Sequence, residues 1–219
     1  MPSSKKIMMA AAGVSTGGGG PGSLWVWGDG GQGRLGQGDT ANLSEPTVVG
    51  STADWSLVYG AAKGSLAVKN EGTLYVWGYG SLGRLGTGSA SNVSSPVQVG
   101  ALSDWVRVTG AGVQSGTAGI KTNGTLWTWG PNSLGQLGQG NTTVLSSPVQ
   151  VGALTNWESA AGGYANWVAV KTDGTLWSWG WNAHGQSGTG NTTTTSSPAQ
   201  VGSGTTWKSV SERGEHVLA

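Results

Sequence analysis

The sequence predicts an all-β fold: a β-propeller of four ~50-residue blades, one of them completed by pairing the N- and C-terminal segments. Three observations carry this. The first is a shared period. Trp27, Trp77, Trp129 and Trp179 each precede a glycine, at separations of 50, 52 and 50 residues. Trp55, Trp105, Trp157 and Trp207 keep the same separations, and so do Pro46, Pro96, Pro148 and Pro198. The second is the content of one period. Ser95–Gly100, Asp104–Val108, Gly116–Lys121 and Thr125–Gly130 are short, rich in β-branched and aromatic residues, and bounded by turn residues. That gives about four strands per repeat, as a propeller blade requires. The third is turn chemistry. Glu71-Gly72, Asn123-Gly124 and Asp173-Gly174 stand at one position of the repeat, where a tight hairpin turn belongs.

Taken along the chain, residues 1–22 read as a docking leader and a glycine-rich linker, and residues 23–219 as the repeat domain. The repeat domain begins with Ser23–Gly28, the last strand of a unit, and reaches Trp207–Ala219, midway through another. Together they make one blade. Pairing them removes exposed sheet edges, which predicts closure within one chain; strand exchange between subunits is the alternative.

The stretch GDGGQGRLGQGD at residues 28–39 raises a separate possibility. Gly28, Gly30 and Gly33 have the G-x-G-x-x-G spacing of a dinucleotide loop. Such a loop needs a helix after it, whose N-terminus faces the phosphates. Residues 37–46 lack an apolar helical period and contain Pro46. The motif recurs at Gly78, Gly80 and Gly83. It therefore reads as a tight connection leaving each blade, with glycine allowing close chain approach.

Composition narrows the function. Among 219 residues there are 42 Gly and 13 Trp, with neither Phe nor Cys. The large rings supply burial that a disordered glycine-rich chain lacks. A net charge of +1 with 10% charged residues argues against binding nucleic acid through its phosphates. Lack of cysteine excludes disulfides and zinc thiolates. No apolar run approaches the ~20 residues of a membrane-spanning helix.

The run K-T-D-G-T-L-W-S-W-G at residues 171–180, with the following W-N-x-x-G-Q-x-G-x-G-N, resembles the regulator of chromosome condensation (RCC-type) repeat. The resemblance covers residues 23–219 and implies a β-propeller. The family's functions differ among members: a chromatin-bound exchange factor for a small GTPase, secreted inhibitors of β-lactamase, and others. Its propellers usually have seven blades, whereas this chain holds material for four. The family's common His is here Gly64, Asn166 and His216. No segment resembles the loops by which the exchange factor engages its GTPase, so exchange activity is not carried over.

Chemistry is sparse. The sequence has two His and no metal-ligand spacing, and its acidic residues mostly follow the repeat. The expectation is a non-enzyme without cofactor or metal. A site is best sought where one repeat departs from its sisters. After each Trp-Gly pair the next residue varies: Asp29, Tyr79, Pro131, Trp181. With Arg34, Arg84, Asn182 and His184 these predict a variable rim, suited to a glycan or protein partner. Arg34 and Arg84 stand where the other repeats have Gln; they bind an anion or bond their own loop carbonyls. Tyr164 and Trp167 form a second irregular aromatic pair.

The leader Lys5-Lys6-Ile7-Met8-Met9 is too short for a secretory apolar core and is expected to be retained and to dock on another chain. Residues 1–13 also resemble leaders on structural proteins of marine tailed bacteriophages. The leading expectation is therefore a structural or adhesive protein displayed on a virus particle, with virion proteins as partners and a virion location. The alternative is a cellular interaction propeller, an inhibitor or scaffold, binding a protein through its rim. That protein would be soluble, in the cytoplasm or outside the cell. A glycan-binding head is compatible with the first.

Overall fold

A computed structural model describes residues 22–61, 63–110 and 114–219. The leader residues Lys5, Lys6, Ile7, Met8 and Met9 lie outside the described residues. The described chain is all β apart from two single 3-10 turns, Gly31–Gly33 and Ser81–Gly83. These turns lie within the G-x-G-x-x-G stretches, and no helix follows them. The loops join neighbouring strands of one sheet, Trp25–Gly28 to Leu43–Val48 and Leu74–Gly78 to Val93–Gln98, and do not leave the blade as expected.

The strands are β1 (Trp25–Gly28), β2 (Leu43–Val48), β3 (Trp55–Gly60), β4 (Gly64–Lys69), β5 (Leu74–Gly78) and β6 (Val93–Gln98). They continue as β7 (Trp105–Gly110), β8 (Thr117–Lys121), β9 (Leu126–Gly130), β10 (Leu145–Gln150), β11 (Trp157–Gly162) and β12 (Asn166–Lys171). The last are β13 (Leu176–Gly180), β14 (Thr195–Gln200), β15 (Ser211–Arg213) and β16 (His216–Leu218). Three antiparallel four-stranded meanders result: β3–β6, β7–β10 and β11–β14. Each follows from the repeat, because consecutive strands joined by short turns pair with their neighbours.

The terminal segments form two separate two-stranded sheets, β1–β2 and β15–β16. This differs from the expected pairing of the termini into one blade. The physical reason is how each hairpin is held. Trp55 N–H donates to Gly22 O (3.1 Å), which ties β1–β2 to the blade of β3. Tyr164 N–H donates to Gly214 O (2.7 Å), which ties β15–β16 to the blade of β11. The two half-blades thus stand at opposite ends of a row of blades.

One joint recurs between blades. Trp77 Nε1–H donates to Arg34 O (2.9 Å), and Trp179 Nε1–H to Gln136 O (3.0 Å). The indole lies over a glycine of the preceding loop. A Cβ on Gly36, Gly86 or Gly138 would come within 2.9, 2.6 or 2.9 Å of the Nε1 of Trp77, Trp129 or Trp179. All three glycines also have φ near +70°, so no other residue fits there without strain. Within each blade, the first-strand tryptophan meets the third-strand aromatics edge to face. Trp105 lies 5.9 Å from Trp129 and Trp157 lies 6.1 Å from Trp179, centroid to centroid. The apolar core is therefore three local clusters strung along the row, with sister residues in each.

Candidate functional site

The loop after the third strand of each blade carries the variable residues. In the third and fourth repeats an asparagine closes this loop from inside. Asn182 Nδ2 donates to Asn191 O (2.9 Å) and Thr193 O (3.1 Å), and its Oδ1 accepts from Ser187 N–H (2.9 Å). Asn132 makes the same set with Asn141, Thr143 and Leu137. In the first repeats glycine occupies this place, and the loop is closed from the far side, where Gly30 N–H donates to Asn42 Oδ1 (3.0 Å). Asn182 is fully buried, so it shapes the rim and does not present itself there.

Trp167 is also buried. Its Nε1–H donates to Ser115 O (3.1 Å) in a joint between blades, where the first blade has Ser65 Oγ–H donating to Arg34 O (2.9 Å). It makes no pair with Tyr164. Tyr164 instead meets Trp181, at 5.8 Å and 63° between rings. Trp181 in turn meets His184, at 5.1 Å and 80°. Glu215 reaches His184 Nε2 at 4.0 Å. Tyr164 and His184 are exposed, and Trp181 N–H is anchored on Ala165 O (2.9 Å). Three residues singled out from different parts of the sequence therefore form one aromatic patch with an acidic neighbour.

The other rim residues are more self-contained. Arg34 Nη1 pairs with Asp29 at 2.9 Å, and its Nε–H donates to Gly31 O (2.8 Å). It is tied to its own loop. Arg84 also bonds its own loop, Nε–H to Ser81 O (2.9 Å), while its guanidinium lies 4.8 Å from the Tyr79 ring centroid. Lys63 lies over the same ring at 5.0 Å. Hydrogen bonding to Ser81, then the nearby Arg84 and Lys63 cations, hold the Tyr79 phenol below its usual value. Burial lowers the Arg84 guanidinium.

The first strands of successive blades, β3, β7, β11 and β15, line a second candidate, a concave groove of about 420 Å³. Leu57, Tyr59, Val106, Val108 and Ala160 make it apolar, and Glu212 is its acidic residue. Glu212 Oε1 accepts from Asn166 Nδ2. Burial pushes its carboxyl up to about 8, against the lowering effect of its bonds with Asn166 and Gly163. Sequence reading passed over Glu212 because nothing in the sequence places it beside Asn166. It also passed over Lys69, Lys121 and Lys171, which do follow the repeat. Each lies over two aromatic rings; Lys171 Nζ is 3.6 Å from the Trp177 centroid. Burial lowers the Lys171 ammonium. Among the described residues no cluster of three His, Cys, Asp or Glu side chains is placed to hold a metal ion. No helix among them is long and apolar enough to cross a membrane.

Fold and repeat together define a β-propeller-type chain built from ~50-residue units. The chain belongs to the regulator of chromosome condensation (RCC1) repeat family, whose model matches residues 21–68, 71–115, 123–170 and 173–219. A second model of this repeat matches residues 159–186. Among solved structures it is similar to human WBSCR16, with a TM-score of 0.77 and 23% identity, over 90% of this chain and 52% of that one. It is also similar to Prp20p of Saccharomyces cerevisiae, with a TM-score of 0.75 and 18% identity, over 88% of this chain and 50% of that one. The same yeast protein bound to Kap60 matches with a TM-score of 0.70 and 19% identity, over 83% and 45%. The chain thus spans about half the length of these structural relatives. Among curated protein sequences none matches it.

Proposed function

We propose that this protein is a non-catalytic interaction propeller that binds a protein partner through the Tyr164–Trp181–His184 patch. The observation that carries the reading is the convergence of these three rings, with Glu215 beside them, on one exposed face. Sister repeats have Asp29, Tyr79 or Pro131 where Trp181 stands, so the fold does not require tryptophan there. Exposed aromatics with an anchored backbone are common centres of binding energy at protein interfaces. The relatives support the class: Prp20p has been studied for its binding to Gsp1p and histones, and solved in complex with Kap60. Neither the fold nor the relatives supports display on a virus particle, nor the likeness of the leader to phage proteins, so the cellular interaction reading is favoured.

The test is affinity capture from source lysate with the wild-type chain and with a Tyr164→Ala/Trp181→Ala double variant, both read by quantitative mass spectrometry. One protein retained at fixed stoichiometry by the wild type, and lost with the double variant while circular dichroism is unchanged, supports the reading. Equal retention by both moves the binding surface elsewhere and ends the assignment to this patch. Purely glycan-borne retention would replace a protein partner with a carbohydrate.

A further inference from the structure

Two sister loops carry an arginine, and only one of them supplies its partners. In the first, residues 28–36, all three guanidinium nitrogens of Arg34 are engaged from within the loop. Nε–H donates to Gly31 O (2.8 Å), Nη1 pairs with Asp29 at 2.9 Å, and Nη2 donates to Gln32 Oε1 (3.3 Å). In the second, residues 78–86, Arg84 Nε–H makes the matching bond, to Ser81 O (2.9 Å). The residues that fill the Nη groups of Arg34 are replaced there: Tyr79 stands for Asp29, and Leu82 for Gln32. Among the described residues neither Nη of Arg84 has a hydrogen bond or an ion pair. The residues outside them include no Asp or Glu. Neither Nη is a buried atom, so both reach water.

The surroundings hold this cation in place without neutralising it. The Tyr79 ring carries the guanidinium at 4.8 Å and Lys63 Nζ at 5.0 Å from its centroid. Thr117 Oγ–H donates to Arg84 O (3.0 Å), which anchors the arginine between the β3–β6 and β7–β10 blades, both complete. Leu82, two residues away, has a left-handed backbone with φ +58°, a strained conformation for a bulky residue, and is 45% exposed. Its sister Gln32 has nearly the same φ, +64°, and spends its side chain on Arg34. Leucine cannot make that bond; it sets an apolar group at the surface instead.

We propose that Arg84 receives the carboxylate of an Asp or Glu side chain from a partner protein, with Leu82 as the apolar contact next to it. The chain itself displays the chemistry: where the sister loop has a carboxylate at hand, that carboxylate occupies the arginine's Nη1. A guanidinium edge with both Nη groups open matches the two oxygens of one carboxylate. Lys63, on the same ring, adds a second positive charge that draws an acidic segment toward the loop. A single open fork beside an apolar group fits a protein side chain. A nucleic-acid backbone needs a dense cationic surface, which a chain of net charge +1 lacks. This inference does not depend on the Tyr164–Trp181–His184 patch.

The experiment titrates the isotope-labelled full chain with acetyl-Leu-Glu-Leu-amide, with its Gln counterpart and with inorganic phosphate. NMR follows the Arg84 Nε–H and Leu82 methyl resonances. The glutamate peptide is expected to shift both saturably, and the glutamine peptide to leave them in place. Arg84→Gln should weaken binding of the glutamate peptide at least about ten-fold. Glutamine is native to this position in the third and fourth repeats, at Gln136 and Gln186. Tyr79→Asp combined with Leu82→Gln copies the first loop and keeps Arg84. It should lose the peptide as fully, because the loop then fills its own arginine. Equal shifts with the two peptides overturn the proposal, since the charge would go unrecognised. So do unchanged binding by either variant and a lack of shifts with the glutamate peptide. A response to phosphate alone overturns the protein carboxylate and puts a phosphate ligand in its place. The wild-type titration stands even if a variant fails to fold.

Discussion

At the residue scale, the buried polar groups make the sharpest tests. Glu212 has its carboxyl raised to about 8, against an ordinary value of 4.5. The folded protein therefore holds that proton through a pH range in which the unfolded chain has lost it. The resulting stabilisation is full below pH 4.5, falls as pH rises, and is gone above about pH 8. Glu212→Gln keeps the shape of the neutral acid and carries no proton to lose. Thermal melts from pH 5 to pH 9 should show the wild type losing Tm relative to Glu212→Gln, with a widening gap up to pH 8. Parallel curves would mean that Glu212 is ionised in the folded state. Asn182 offers a second test. Its truncation to alanine removes three hydrogen bonds from a buried loop, at a cost of about 2–4 kcal/mol, which urea unfolding would resolve.

At the scale of elements, the joint between blades is the unit that repeats. Gly86 sits under Trp129, where a Cβ would lie 2.6 Å from Nε1, and its φ is +72°. Gly86→Ala combines overpacking with backbone strain and should cost about 2–4 kcal/mol. Trp181 belongs to no joint. Trp181→Ala should move Tm by less than about 3 °C, corresponding to roughly 1 kcal/mol or less, while weakening capture of the partner. A large loss of stability would mean that the ring packs for the fold and not for a ligand.

At the scale of the molecule, the apolar core is three clusters strung along the row of blades, so neighbouring blades are coupled through their joints. Damage to one joint is expected to loosen the blades on either side of it first. In Gly86→Ala, amide hydrogen exchange should speed up most in β3–β6 and β7–β10, the two blades that meet at Trp129. An equal increase in every blade would mean that the row opens as one unit.

Much of this was determined by the sequence alone. The blade period, the strands and the turn positions are local properties. They follow from β-branched and aromatic runs, from glycines that tolerate positive φ, and from landmarks that recur at 50, 52 and 50 residues. The rim was legible in part for the same reason: Trp181, Tyr164 and His184 depart from a pattern that the other repeats define. What a side chain touches was not legible. Trp167 departs from the pattern just as visibly, and Asn182 shares its place only with Asn132; both turned inward, because their polar atoms found carbonyls in a neighbouring blade or in their own loop. Glu212 carries no local mark at all; its raised carboxyl comes from burial beside Asn166, far away in sequence. The pairing of the chain ends was read from the repeat as an internal event. Only the tertiary structure decided that the two terminal hairpins pair within themselves, each bonded through its backbone to its own neighbouring blade, at Gly22 and at Gly214.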